Sequence, residues 1–501
     1  MMKNVNRCIL NTCCRAGIFI KKHDIIYGKF FKYYGGESML EFNQRSNTLE
    51  QRAYTYKLQD VTEPNLYRHL YNYEEAPKIP FNHRQVPMRP SSQIWITDST
   101  FRDGQQARAP YTVEQIVHLY KLLHKLGGPR GIIRQTEFFL YSKKDKEAVE
   151  RCLELGYQYP EITGWIRAVK EDFQLVKEMG LKETGILASS SDYHIFKKLK
   201  MTRNQAMEQF LSIIKAALEI GVVPRVHLED LTRADFYGFV VPFAIEISKL
   251  SEESGIPIKI RACDTMGFGV SYPGVALPRS VPGIIYGLWH HAGIPSERLE
   301  WHGHNDFYKV VANAGTAWLY GCSGINCTLL GIGERTGNCP LEAMVFEYAA
   351  LRGTMDGMDP TVITEIASYY AKELKYKIPP MTPFVGRDFN FTRAGIHADG
   401  LLKDEEIYNI FNTEKLLNRP VVVAINEYSG IAGIAFWLNQ YFNLKGEKRI
   451  DKKDLRLQRL KDWVDRQYAE GRNTVIGDGE FEEAIRRETP DFWKELSENN
   501  S

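Results

Sequence analysis

Three things are scarce in this 501-residue chain, and each absence excludes something. Charge imbalance is the first. Its 64 basic and 62 acidic residues leave a net charge of +2, which gives no global case for nucleic acid. Long apolar runs are the second. None approaches the roughly 18–20 residues that cross a bilayer, so no membrane partner is expected. Cysteine is the third. Eight cysteines in a chain this long make no disulfide framework. Cys152, Cys263, Cys322 and Cys327 lie in apolar surroundings and read as reduced core residues of a cytoplasmic protein. Internal repeats, low-complexity tracts and the Gly-rich first turn of a dinucleotide-binding sheet are also missing.

Acidic residues are scarce at the start. Lys3, Arg7, Arg15, Lys21, Lys22, Lys29 and Lys32 face only Asp24 before Glu37. That composition imitates a transit peptide, but the run Ala16–Ile20 is too short for a signal core. Tyr34-Gly35-Gly36-Glu37-Ser38-Met39 would be encoded by a purine-rich run just upstream of an ATG. Translation is therefore expected to start at Met39, and residues 1–50 are read as an extension outside the fold. Residues 51–92 carry Pro64, Pro77, Pro80, Pro87 and Pro90 among many tyrosines. Proline at this density prevents long helices. The segment reads as an extended arm lying on the body or on a partner subunit.

Regular alternation begins at residue 93. Short β-rich runs at 93–98, 131–139, 161–166, 183–188, 223–228, 257–263, 298–304 and 324–329 are separated by helical patterns. Val113, Ile116, Val117, Tyr120 and Leu123 show that helical spacing, behind a Thr112-x-x-Gln115 capping box. Eight strands alternating with helices predict an α/β fold, a (β/α)8 TIM barrel over 93–355. A smaller, mainly helical lid or dimerisation module is expected over 356–445, then a charged helical tail over 446–501 with Glu, Lys and Arg on every face.

Parallel barrel strands share one rim at their C-terminal ends, where active sites of this fold sit. The first strand runs into Thr97-Asp98-Ser99-Thr100-Phe101-Arg102-Asp103-Gly104-Gln105-Gln106, and the seventh into His302-Gly303-His304-Asn305-Asp306. Residues i and i+2 of a strand share a face, so His302 and His304 point the same way, about 6–7 Å apart along the backbone. With Asp103 on the same rim they form a candidate divalent-metal site with positions left open. The blander reading pairs the histidines with Asp306. Arg102 is a candidate for stabilising a developing oxyanion, or a structural partner of Glu137. Arg225, His227 and Glu229 share one face of the fifth strand. They suit either a substrate carboxylate or an internal Arg–Glu pair. Thr265 after the sixth strand and the glycine-rich turn Gly331–Asn338 after the eighth could donate to an anion. His397, with Tyr408 nearby, is a candidate general base.

The Asp-Ser-Thr-Phe-Arg-Asp-Gly-Gln-Gln stretch, His-Gly-His-Asn-Asp and Gly-Glu-Arg-Thr-Gly-Asn resemble the signatures of the metal-dependent acyltransferase and lyase barrels. That family includes isopropylmalate, homocitrate and citramalate synthases and hydroxymethylglutaryl-CoA lyase. Ala394-Gly395-Ile396-His397-Ala398-Asp399-Gly400 resembles the synthases and not the lyases. Arg134–Ser142 and Glu161–Ala168 resemble a citrate-forming branch. The resemblance covers about residues 93–440 and implies a Claisen-type condensation of acetyl-CoA with a 2-oxo dicarboxylate in a cytoplasmic homodimer. It implies Asp103, His302 and His304 as ligands of a divalent cation, manganese first, with cobalt, magnesium or zinc as alternatives. It implies Arg102 at the oxyanion, Gln106 and Glu137 in the substrate site, and Arg225, His227 and Thr265 around the distal carboxylate. Glu229 would orient catalytic groups, Asn338 would sit near the metal or acetyl-CoA, and His397 and Tyr408 would come from the lid, usually over the neighbouring barrel. Two departures stand out. Gln105 replaces a common Glu, and His227 replaces the small Ser of homocitrate synthases. The larger His227 favours the shorter oxaloacetate over 2-oxoglutarate.

Overall fold

Strand Trp95–Asp98 has all four residues buried, so both of its faces must be covered. A closed parallel barrel does this. The computed structural model describes residues 40–44 and 47–499; the leader-like composition and the start expected at Met39 lie outside them. Leu40–Asn43 (β1) and Thr48–Gln51 (β2) form an antiparallel hairpin, so the end of the expected extension is regular structure. The barrel strands follow: Trp95–Asp98 (β3), Ile133–Phe139 (β4), Glu161–Ile166 (β5), Glu183–Ser189 (β6), Val223–Glu229 (β7), Lys259–Asp264 (β8), Leu299–Gly303 (β9) and Gly324–Cys327 (β10). They close in sequence order, β10 lying beside β3. All eight fall inside the runs expected from the sequence or within a residue of them.

The chain divides into two compact units. One contains the described residues up to Val113, Arg134–Gly156 and Glu161–Pro340, and so the barrel. The other contains Glu114–Ile133, Tyr157–Pro160 and the chain from Leu341 on. The expected boundary at 355 thus falls inside the second unit. In the first unit, residues 52–92 form no long helix and lie on the barrel body. Gln59 N–H donates to Gly238 O, Ala276 N–H to Pro80 O and Arg89 N–H to Leu319 O. Arg203 is fully buried, and donates to Gln59 O at 3.0 Å as well as to Asp192 and Asp235.

The barrel interior departs from the usual filling of branched apolar side chains. Glu137 of β4, Glu183 of β6, Arg225 of β7, Lys259 and Arg261 of β8 and Glu300 of β9 point inward as a ladder of ions, with the neutral amide of Gln135 of β4 hydrogen-bonded among them. Lys259 reaches Glu183 at 2.6 Å, and Arg261 bridges Glu137 at 3.1 Å and Glu300 at 3.0 Å. Buried charges persist only when paired and hydrogen-bonded, and here each has an opposite partner.

In the second unit the tail is not charged on every face. Helices Arg456–Ala469, Asp478–Glu488 and Pro490–Asn499 bury Leu457, Leu460, Trp463, Phe481, Ile485 and Phe492 against Trp437 and Leu438 of the helix Ile431–Tyr441. Their apolar stripe was hidden by abundant Arg and Glu on the other faces. No helix among the described residues is long and apolar enough to cross a membrane. Cys152, Cys263, Cys322, Cys327 and Cys339 are all buried.

Candidate active site

The β3 chain end turns directly into the four-residue helix Asp103–Gln106, which keeps Asp103 inside the rim. His302 on β9 and His304 just beyond it project from the same face, as their i, i+2 spacing requires. The result is a buried cluster: His302 Nε2 is 3.2 Å from His304 Nε2 and 3.6 Å from Asp103 Oδ2. Asp306 does not pair with these histidines. Arg335 holds it at 2.8 and 3.1 Å.

Each of the three groups is in the form that a cation needs. Burial alone would raise the Asp103 carboxyl, but Arg102 (3.2 Å away) and the two imidazoles hold it well below the usual carboxylate range. Burial pushes His302 down to about 4 and lowers His304 too, so both rings are neutral at pH 7. His302 Nδ1 lies 2.8 Å from Asn326 Oδ1, which also accepts from Ser99 Oγ at 2.9 Å. Asn326 Nδ2 donates to Thr97 Oγ1 at 3.1 Å. An amide oxygen only accepts, so Nδ1 carries the proton and Nε2 keeps its lone pair for the cluster. Asn338 Nδ2 donates to Asp103 Oδ2 at 2.5 Å, while Asn338 Oδ1 and His304 Nδ1 are buried without a protein partner. Two neutral imidazoles, a carboxylate and an orphaned amide oxygen fit a divalent cation, whose nitrogen ligands stand about 2.1 Å from it.

Arg102 lies beside this cluster, 3.5 Å from Glu137 Oε2 and 4.7 Å from the centre of the Trp165 ring. Both the structural pair and the place next to the metal site expected from the sequence are therefore present. Below it, Glu137 also accepts from Arg225 at 2.7 Å. Of the two readings open for Arg225, the internal Arg–Glu pair is the one present. Its guanidinium also donates to Glu183 at 2.9 Å, Thr163 at 3.1 Å and Gln135 at 3.2 Å. It is used up inside the barrel, so it supports the site through Glu137 instead of meeting a distal carboxylate itself. The one donor it keeps, Nε, is buried and lies 3.7 Å from Glu300.

His227 sits higher, buried, with Nε2 3.5 Å from Glu137 Oε1 and no hydrogen bond at that atom. Burial and the surrounding guanidinium charges lower it well below an ordinary imidazole. Space for this ring comes from Gly185 on the neighbouring β6. A Cβ there would stand 2.7 Å from His227 Nε2 and 2.9 Å from Glu137 Oε1. Gly185→Ala should therefore cost about 1–3 kcal/mol by overpacking, read as a lower urea midpoint with an unchanged slope.

At the rim, Glu229 accepts from Ser189 Oγ at 2.8 Å and from His194 Nδ1 at 2.9 Å. Burial would raise its carboxyl, but His194 and Lys198 bring it to about 2. Thr265 Oγ1 accepts the Asp230 N–H at 2.8 Å, and its carbonyl accepts from Arg335. Gln106 is exposed and is not drawn into the buried cluster. Gln105 is the buried member of the pair, and accepts from Lys144 at 3.0 Å and the Tyr111 N–H at 3.3 Å. In the second unit, His397 and Tyr408 pack ring to ring, centroids 4.4 Å apart, and Tyr408 is half exposed.

Residues 93–369 match the family model described as HMGL-like. The chain belongs to the HMGL-like family. Within it, the chain is 59% identical over 453 residues, 90% of its length and all of the relative, to a protein named citrate (Re)-synthase from Clostridium kluyveri. It is 57% identical to a protein of the same name from Syntrophus aciditrophicus, over 91% of this chain and 73% of that one. A 2-phosphinomethylmalate synthase from Streptomyces hygroscopicus is 36% identical over 86% of this chain and 98% of its own length. HMGL-like membership agrees with the closed eight-stranded barrel and with the resemblance read from the sequence motifs.

Proposed function

We propose that this protein is an acyltransferase that condenses acetyl-CoA with oxaloacetate and, with water, yields citrate and CoA. The observation that carries the reading is the 59% and 57% identity to two proteins named citrate (Re)-synthase. The buried Asp103–His302–His304 cluster supports it. These three residues would hold a divalent cation, manganese in the first instance, which supplies Lewis-acid polarisation of a 2-oxo group when bound.

The chain's own residues do the rest. Arg102, aimed by Glu137 and the Trp165 face, offers its guanidinium where negative charge develops on the keto oxygen. His227, beside Glu137 and with an unpartnered Nε2, limits the depth of the pocket and faces the distal end of the keto acid. Thr265 and Asn338 line the same rim, and Gln106 at the exposed tip is free to reach the incoming acid. His397, with Tyr408 against its ring, removes a proton from the acetyl methyl, from the partner subunit of a homodimer.

The reading is tested by following CoA-thiol release from acetyl-CoA after chelation and manganese addition, with oxaloacetate, 2-oxoglutarate and 2-oxoisovalerate in parallel. Release is expected with oxaloacetate alone and only with metal. Release with 2-oxoglutarate instead would keep the condensation and discard the role given to His227.

A further inference from the structure

Nothing in the condensation needs His194, yet the fold builds a site around it. The residue lies in a π-helical turn, Tyr193–Lys198, directly after β6. Such turns are rare and concentrate at functional positions. Its side chain is 17% exposed and Glu229 is 15% exposed. Glu229 accepts at 2.9 Å from Nδ1 and so fixes the tautomer with Nδ1 protonated. The lone pair is then on Nε2, which stands 3.8 Å from Asp230 Oδ2, beyond hydrogen-bond range. Asp230 is itself held by Arg233 at 2.8 Å and by Ser191. An imidazolium formed here would face two carboxylates.

The position suits the second half of the reaction. Leu228 pairs with Ala262, and Cys263 pairs with His302. Glu229, which holds His194, is therefore two strands from His302 on the same rim, about 10 Å between backbones at the usual strand spacing.

We propose that His194, positioned by Glu229, is the acid–base group that hydrolyses the citryl thioester, separately from the groups that form it. This rests on the condensation reading above. In the step, Nε2 takes a proton from water as the water oxygen bonds to the thioester carbonyl carbon. The carbon–sulfur bond then breaks, and the imidazolium returns the proton to the departing CoA sulfur. Water and thioester become carboxylic acid and thiol, and no further reactant is needed.

The test is a single turnover of the metal-loaded, full-length His194→Asn variant with acetyl-CoA and oxaloacetate, quantifying citryl-CoA, citrate and CoA by mass spectrometry. Synthetic citryl-CoA is offered in a second arm. The variant should accumulate citryl-CoA and clear it about 100-fold or more slowly than wild type, the usual worth of a general base. His194→Ala should regain part of that rate on addition of imidazole, which a structural role for the ring would not produce. Clearance at the wild-type rate in both variants would overturn the proposal and leave the condensation reading standing. A wild-type protein that makes no citrate from either arm would overturn both.

Discussion

His302→Ala abolishes metal-dependent turnover while leaving the barrel folded. The expectation follows from what the ring does and what surrounds it. His302 is one of the three His and carboxylate groups that the described residues bring together in the Asp103–His302–His304 cluster, so its loss leaves one imidazole and one carboxylate, with the weaker Asn338 amide oxygen, to hold a cation. Several kcal/mol of Lewis-acid stabilisation go with it, and at ~1.4 kcal/mol per tenfold the rate falls about a thousandfold or more. Folding should survive, because the ring's one bond to the scaffold is to Asn326, and Asn326 keeps Ser99 and Thr97. Metal content after dialysis, a circular dichroism spectrum and CoA release together check this. Asn326→Ala gives the contrast. It leaves all three ligands but frees the His302 ring, so metal affinity should fall about 10–100-fold, and excess manganese should rescue activity. Full activity in His302→Ala would remove the cluster from the mechanism.

The cluster was legible because its information is local. His-x-His on a strand fixes a common face, and a closed parallel barrel fixes a common rim, so Asp103 and the histidines converge although some two hundred residues separate them. The same alternation placed Glu229 and His227 inward. It could equally have flagged Glu300, which shares a face with His302 and His304, and Arg261, two residues before Cys263. What period-two reasoning cannot supply is who pairs with whom across the barrel. Arg225 was legible as inward, but its capture by Glu137 and Glu183 depends on β4 and β6. His194 was missed for a related reason: it sits in a helical turn, and its partner Glu229 comes from the next strand. Gly185 carries no side chain to read at all, and its meaning comes from the His227 ring that occupies its place. The tail was misjudged because one buried stripe of Leu, Trp and Phe is easily outnumbered by solvent-facing charge.

Glu137→Gln should be the most destabilising conservative change in the barrel. Glu137 is 1% exposed and balances Arg225 at 2.7 Å, Arg261 at 3.1 Å and Arg102 at 3.5 Å. An amide of the same shape removes the charge and keeps the guanidinium groups, so buried cations are left under-compensated at a cost of about 3–5 kcal/mol. The dependence on pH separates this from a packing effect. Burial acts to raise the Glu137 carboxyl, but Arg261, Arg225 and Arg102 outweigh it and hold it below an ordinary glutamate. A carboxyl depressed in the folded state binds fewer protons than it does unfolded, so its contribution is fully present above the ordinary glutamate range and is lost as pH falls through the folded value. Denaturant midpoints of wild type and Glu137→Gln should therefore lie far apart at pH 7 and draw together towards pH 4 and below. A gap that stays constant across that window would show that the loss does not come from the carboxylate's charge. Because Arg102 takes its direction from the same carboxylate, turnover should fall in the variant even where enough of it remains folded to bind metal. That result would tie the ions inside the barrel to the chemistry at its rim.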